Sequence, residues 1–175
     1  MPKTGQPVPP DAEIIFREFI ISQTEITDLI GSRVATNLPR DAELPFLVYV
    51  RGGGTLVRPT SQVHLQSAVI PCIAFAGQWG GDGTKNQPDY GGAMELANLI
   101  IKYCFNMENE YVTTESSNTR AEIYGFDIIQ MPTRVNEVTT GLGRYDFGVA
   151  MTYRCLLYTS PSPRDRQKAR MPSSA

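Results

Sequence analysis

Apolar residues between Ala12 and about Ser22 fall at Ile15, Phe16, Phe19 and Ile20, a three- and four-residue recurrence that turns one helical stripe toward a core. Asp11 is placed to cap this helix, and Ile26, Leu29 and Ile30 carry the period through a second short helical turn. Gly31 predicts the stop, because glycine takes a left-handed backbone without steric cost. After Pro45 the period changes to two. Phe46, Val48 and Val50 alternate with Leu47 and Tyr49, which predicts a strand over Phe46–Arg51 that is apolar on both faces and therefore central. Glycines 52, 53 and 54 predict release into a polar stretch through Pro59, and a second strand follows from about Val63 to Ala76. Pro71 within it has no amide donor, which predicts a bulge or an unpaired edge nearby.

Gly77 to Gly92 is rich in Gly, Asp and Asn and reads as a long mobile loop. A helix is predicted over Tyr90–Phe105, with Met94, Ala97, Leu99, Ile101 and Tyr103 near its apolar face and Asp89 close to its start. A polar interval from Asn106 to Thr119 precedes two strands, Ala121–Met131 and Arg144–Arg154, joined by a polar hairpin connection from Pro132 to Gly143. The order helix, strand, strand, helix, strand, strand predicts an α+β fold: a four-stranded antiparallel or mixed sheet with two helices packed on one face. Such a sheet leaves two edges and one face open. Pairing with a neighbouring subunit is a common way to cover them.

A chain of 175 residues with 41% hydrophobic residues has the size and apolar content of one domain. Residues 1–10 contain four prolines and read as a flexible arm, leaving 11–154 as the single domain. After Arg154 the periodicity fades and basic residues and prolines accumulate. Residues 155–175 therefore read as a disordered tail, and they look like translated sequencing-adapter read-through that is foreign to the domain. The charge divides at the same point. Up to Arg154 there are 12 Lys and Arg against 17 Asp and Glu, a net of −5 within an overall −2, so no basic stripe marks the domain for nucleic acid. The opening residues lack the apolar segment of a secretory signal, and no apolar run reaches the roughly 20 residues of a membrane span, so a soluble protein is expected.

Reactive chemistry is sparse. Cys72, Cys104 and Cys155 lack zinc-ligand spacing and read as reduced thiols, and the single histidine, His64, has no nucleophile motif beside it. Gly77–Lys85 fails as a phosphate loop because Thr84 separates Gly83 from Lys85 and Pro88 follows. Asp82, Asn86 and Asp89 lack the alternation and terminal glutamate of a calcium loop, and Glu108, Glu110 and Glu115 read as a solvated face. No catalytic residue, metal ligand or cofactor is assigned. Trp79, in a glycine-rich loop, suits either an interface anchor or packing on its own sheet. Arg51, Arg58 and Tyr49 complete the candidate interface.

Leu29-Ile-Gly31-Ser-Arg33-Val34, Leu44-Pro45-Phe-Leu-Val-Tyr49, Ala93-Met-Glu-Leu-Ala97-Asn-Leu-Ile and Thr140-Gly-Leu-Gly-Arg-Tyr145-Asp-Phe-Gly-Val-Ala-Met-Thr-Tyr153-Arg154 together resemble the tail-completion proteins of long-tailed bacteriophages, also described as tail-terminator or head-tail joining proteins. The resemblance spans residues 12 to 154 and rests on the order and spacing of these segments. It implies a non-enzymatic virion protein that caps the tail tube and docks to the head connector as a ring of copies of itself, six in number. DNA would only pass through the lumen, and no membrane or cofactor is involved. The acidic domain agrees with such a lumen, since a negative surface does not hold phosphate. Two other readings stay open: a different neck or tail-tube subunit, or a small enzyme with a site of dispersed acids and tyrosines.

Overall fold

The computed structural model describes residues 11–59, 64–79, 87–107, 110–114, 119–136 and 141–156. The proline-rich arm, the acidic residues Glu108 and Glu115, Asp82, Asn86 and the basic tail from residue 157 lie outside them. In chain order the elements are α1 (Ala12–Ser22), α2 (Thr24–Ile30), β1 (Val34–Ala35), β2 (Phe46–Tyr49), β3 (Gly53–Pro59), β4 (His64–Ala76), β5 (Gln78–Trp79), β6 (Gln87–Pro88), α3 (Tyr90–Phe105), β7 (Glu110–Thr114), β8 (Thr119–Arg134) and β9 (Gly143–Leu156).

The fold is α+β, but the sheet is larger than four strands. Seven strands form one mixed sheet in the order β1-β2-β4-β9-β8-β7, with β3 beside β4; β5 and β6 make a separate pair. β2 and β3 share one row, since β2 takes Cys72 to Phe75 of β4 and β3 takes His64 to Val69. Only β1–β2 is parallel. β3 occupies the stretch expected to be polar and irregular, β7 lies in the expected polar interval, and β5–β6 occupies the arms of the expected loop. β9 runs to Leu156, two residues past the Arg154 boundary, with Cys155 opposite Ala121.

The expected irregularity near Pro71 is present. Val50 donates its backbone N–H to the Pro71 carbonyl at 3.1 Å and Gly52 to the Val69 carbonyl at 2.9 Å, and between them the β2–β3 row takes up one extra residue. A strand residue directs its N–H and C=O to the same side, so the donor that proline lacks would face this bulge and not the β9 ladder.

All three helices cover one face. Ile15, Phe16, Phe19 and Ile20 of α1, Ile26 and Ile30 of α2, and Ala93, Leu96, Ala97, Ile100 and Cys104 of α3 are buried. They meet Leu47 and Tyr49 of β2, the even positions Ala68 to Ala74 of β4, and Phe147, Val149, Met151 and Tyr153 of β9. Phe16 links the two sides of this core, with ring centroids 5.4 Å from Tyr49 and 6.2 Å from Phe126. The only buried phenol in β9, Tyr153, donates its hydroxyl to Gln66 at 2.7 Å, which satisfies it inside the core. The apolar face expected for α3 is out of phase: Ala97 is buried, whereas Met94 is exposed and Leu99, Ile101 and Tyr103 lie at the core margin. Gly31 ends α2 at φ 57° as expected, but its ψ of −128° lies outside the left-handed helical basin.

Candidate assembly interface

Burial of one sheet face leaves the other to be accounted for. Along β9 the residues between those of the core, Asp146, Gly148, Ala150 and Thr152, point away from the helices by simple alternation. Opposite them on β4 stand Ile73, Pro71, Val69 and Ser67. Among the described residues one end of this outer face is covered by a packed apolar segment. There Phe46, Val48 and Phe75 are buried beneath Leu38, Ala42 and Leu44 of the β1–β2 connection and Leu142. This explains why β2 is buried on both sides while the sheet beyond it is not.

Arg33 fastens that covering segment. Its guanidinium donates to the carbonyls of Leu29 at 3.1 Å and Pro45 at 3.0 Å and to the Glu43 carboxylate at 3.2 Å, tying the end of α2 to the start of β2. The planar fork of arginine reaches all three acceptors at once, which an ammonium on a flexible stem does less well. The segment so held borders an open pocket of about 440 Å³ lined by Leu38, Pro39, Arg40, Ala42, Leu44 and Leu142.

Toward the other margin the sheet stays open. β7 pairs only with Thr119 to Ile123, and from Tyr124 to Arg134 no strand among the described residues pairs with the outer edge of β8. Three register shifts interrupt this part of β8, and bulges of this kind discourage uncontrolled edge pairing. Ile129, 52% exposed, lies across Gly148, where an added Cβ would come within 3.1 Å of its Cγ1. Met131 is 66% exposed, and Tyr124 is also exposed. At the far end of α3, Phe105 is 78% exposed. Ile129 and Met131, two residues apart on β8, are the most exposed large apolar side chains of the sheet among the described residues.

The residues expected at the interface divide. Tyr49 is corrected outright: it is 3% exposed and packs on Phe16, because it lies on the face of β2 that the helices cover. Burial raises its phenol above the ordinary tyrosine value. Arg51 is exposed, but its backbone N–H donates to Glu13 at 2.8 Å and its guanidinium lies 3.8 Å from Asp11, so it braces the start of α1. Arg58 sits on β3 opposite Leu65, and Trp79 pairs opposite Gln87; both side chains lie outside the description, as does that of His64. Of the four, the structure therefore places only the side chains of Tyr49 and Arg51, one in the core and one at the start of α1. Phe105, Ile129 and Met131 escaped the sequence reading, although the spacing of Ala93, Ala97, Ile100 and Cys104 already sets Phe105 off their stripe.

Ionisable groups with shifted equilibria are structural in their placement. Cys72 and Cys104 are buried free thiols; burial pushes Cys72 well above the thiol range and Cys104 up to about 12. On the surface, a hydrogen bond from Lys102 at 2.9 Å, followed by one from Tyr103, holds Glu25 below the ordinary carboxylate value and joins α2 to α3. Among the described residues no group of three His, Cys, Asp or Glu is placed to hold a metal ion, and no helix is long and apolar enough to cross a membrane. No protein-family model and no curated protein matches the chain.

Proposed function

We propose that the protein is a structural component of a long-tailed bacteriophage, assembling as a ring that caps the tail tube and joins it to the head connector. The observation that carries this reading is the one-sided sheet: the inner face is sealed by three helices, while the outer face ends in an open β8 edge with Ile129 and Met131 exposed. A sheet finished on one side and left open along a strand edge on the other is suited to being completed by neighbours. The order of the segments that resemble tail-completion proteins supplies the setting in the virion, and the acidic balance up to Arg154 suits a lumen that DNA traverses without adhering. In this reading ring neighbours are further copies, axial neighbours are tail-tube and connector proteins, and no cofactor takes part.

Electron microscopy of the purified full chain, with mass measurement in solution, tests it. Closed rings of one size are expected. Extended tubes would reassign the protein to the tail tube, and a monomer at every accessible concentration would overturn the assembly reading.

A further inference from the structure

A closed ring needs two different surfaces per subunit that fit each other, because cyclic contacts beyond a dimer are head-to-tail. Among the described residues the most exposed large apolar side chain, Phe105, and an apolar recess stand at opposite ends of the domain. The projection is Phe105, 78% exposed, the last residue of α3. The recess is the open pocket between Leu38, Ala42, Leu44 and Leu142, about 440 Å³, with Arg40 on its lining. Resting on the ring reading above, we infer that Phe105 of one copy seats in this pocket of the next copy, and that this contact closes the ring.

Topology keeps the two apart within one chain. Leu142 precedes Gly143, which lies against the Asp89–Tyr90 start of α3, so the pocket belongs to the end of the domain where α3 begins. Phe105 lies at the other end, roughly 22 Å away along the helix at about 1.5 Å rise per residue. The pocket also sits over Phe46, Val48 and Phe75, on the sheet face opposite α3. A phenylalanine on the helix side therefore meets this recess only on another molecule.

Size and charge both fit. A cavity of about 150 Å³ lined by aliphatic side chains already admits benzene, so the pocket accommodates a phenyl ring together with the methylenes of Arg40. Phe105 leaves the carbonyl end of α3, which carries the partial negative charge of the helix dipole. The cation of the last turn, Lys102, is already engaged by Glu25. Arg40 is exposed, and among the described residues no ion pair holds it. Seating the ring brings this guanidinium to the carbonyl end of the incoming helix. Met131 and Ile129 are the rival projections, but they belong to strand β8 and so bring no helix terminus of their own to complement Arg40.

The test uses full-length protein and four variants, with oligomer mass and thermal unfolding measured for each. Phe105→Asp alters an exposed side chain and should fold normally yet lose the ring. Ala42→Trp fills the recess without removing an existing contact and should do the same. Mixed together, the two retain one intact projection and one intact recess between them and should form a dimer and nothing larger. A Phe105→Cys, Leu38→Cys double variant should yield oligomer-sized species on oxidation that reducing agent returns to monomer. Wild-type rings that persist in both Phe105→Asp and Ala42→Trp overturn this contact while leaving the ring reading intact, and so does a ring dissolved by Met131→Asp alone. A monomeric wild type overturns both.

Discussion

Gly143, the first residue of β9, lies so close beneath Asp89 that a Cβ on it would overlap the Asp89 backbone carbonyl. Asp89 in turn caps α3, its carboxylate accepting from the Gly92 N–H at 2.9 Å. The start of the main sheet-covering helix and the start of the central strand are thus fixed at one point, and the side chain at 143 has no space. Gly143→Ala is expected to destabilise the fold by about 2–3 kcal/mol through overpacking against backbone. For a domain of this size that lowers the unfolding midpoint by roughly 5–10 °C. Calorimetry that finds an unchanged midpoint would show that the two elements do not meet as described.

Arg33 makes its hydrogen bonds to Leu29 and Pro45 while Glu43, its third partner, is 84% exposed. The carbonyl contacts should therefore matter more than the ion pair. Arg33→Lys keeps the charge but loses the fork, and denaturant titration should show a loss of about 1–3 kcal/mol. Glu43→Gln should change stability by less than about 0.5 kcal/mol, as surface pairs generally do. Equal effects from the two would contradict the clamp.

What could be read from the sequence was whatever local chemistry decides. Asp11 and Asp89 announce the starts of α1 and α3, and Gly31 announces the end of α2, because caps and positive φ are properties of a few neighbouring residues. The face of α3 was not legible in the same way. Apolar residues surround much of that helix, so hydrophobicity alone does not set its phase; the small Ala93 and Ala97, which permit close approach to the sheet, do. β3 and β7 escaped for another reason. Gly53-Gly54 and Thr113-Thr114 have little apolar alternation, and they are strands because β4 and β8 extend far enough to pair with them. Tyr49 looked available for contact because alternation along β2 does not say which element covers each face; it lies on the helix face against Phe16 of α1.

The Glu25–Lys102 contact gives a pH signature that can be read residue by residue. Hydrogen bonding from Lys102 lowers the Glu25 pKa in the folded state, so whatever stability the pair confers is present above the ordinary carboxylate value and is lost as pH falls through the lowered one. NMR titration of the Glu25 carboxyl should show a midpoint below 4.5, and Lys102→Met should move it upward. A midpoint unaffected by Lys102→Met would mean that the link between α2 and α3 is not formed in solution.

Buried thiols make the opposite prediction at high pH. Cys72 and Cys104 are held neutral in the fold by burial, with Cys104 raised from 9.0 to about 12. In the unfolded chain they ionise near the ordinary value, so between pH 9 and 12 the unfolded state binds fewer protons than the folded state. Stability therefore falls as pH rises through this window, by up to about 1.4 kcal/mol per pH unit for each buried thiol. Lysines and tyrosines titrate in the same range, so the informative quantity is the slope difference between the wild type and Cys104→Ala, which removes one thiol. The variant should be less stable at pH 7 because it loses packing, yet the gap should narrow toward pH 12. Thiol-labelling kinetics provide the independent check: in native protein at pH 8 both cysteines should react only as fast as the fold opens, and rapid labelling of either would show that the helix-covered core is not closed around it.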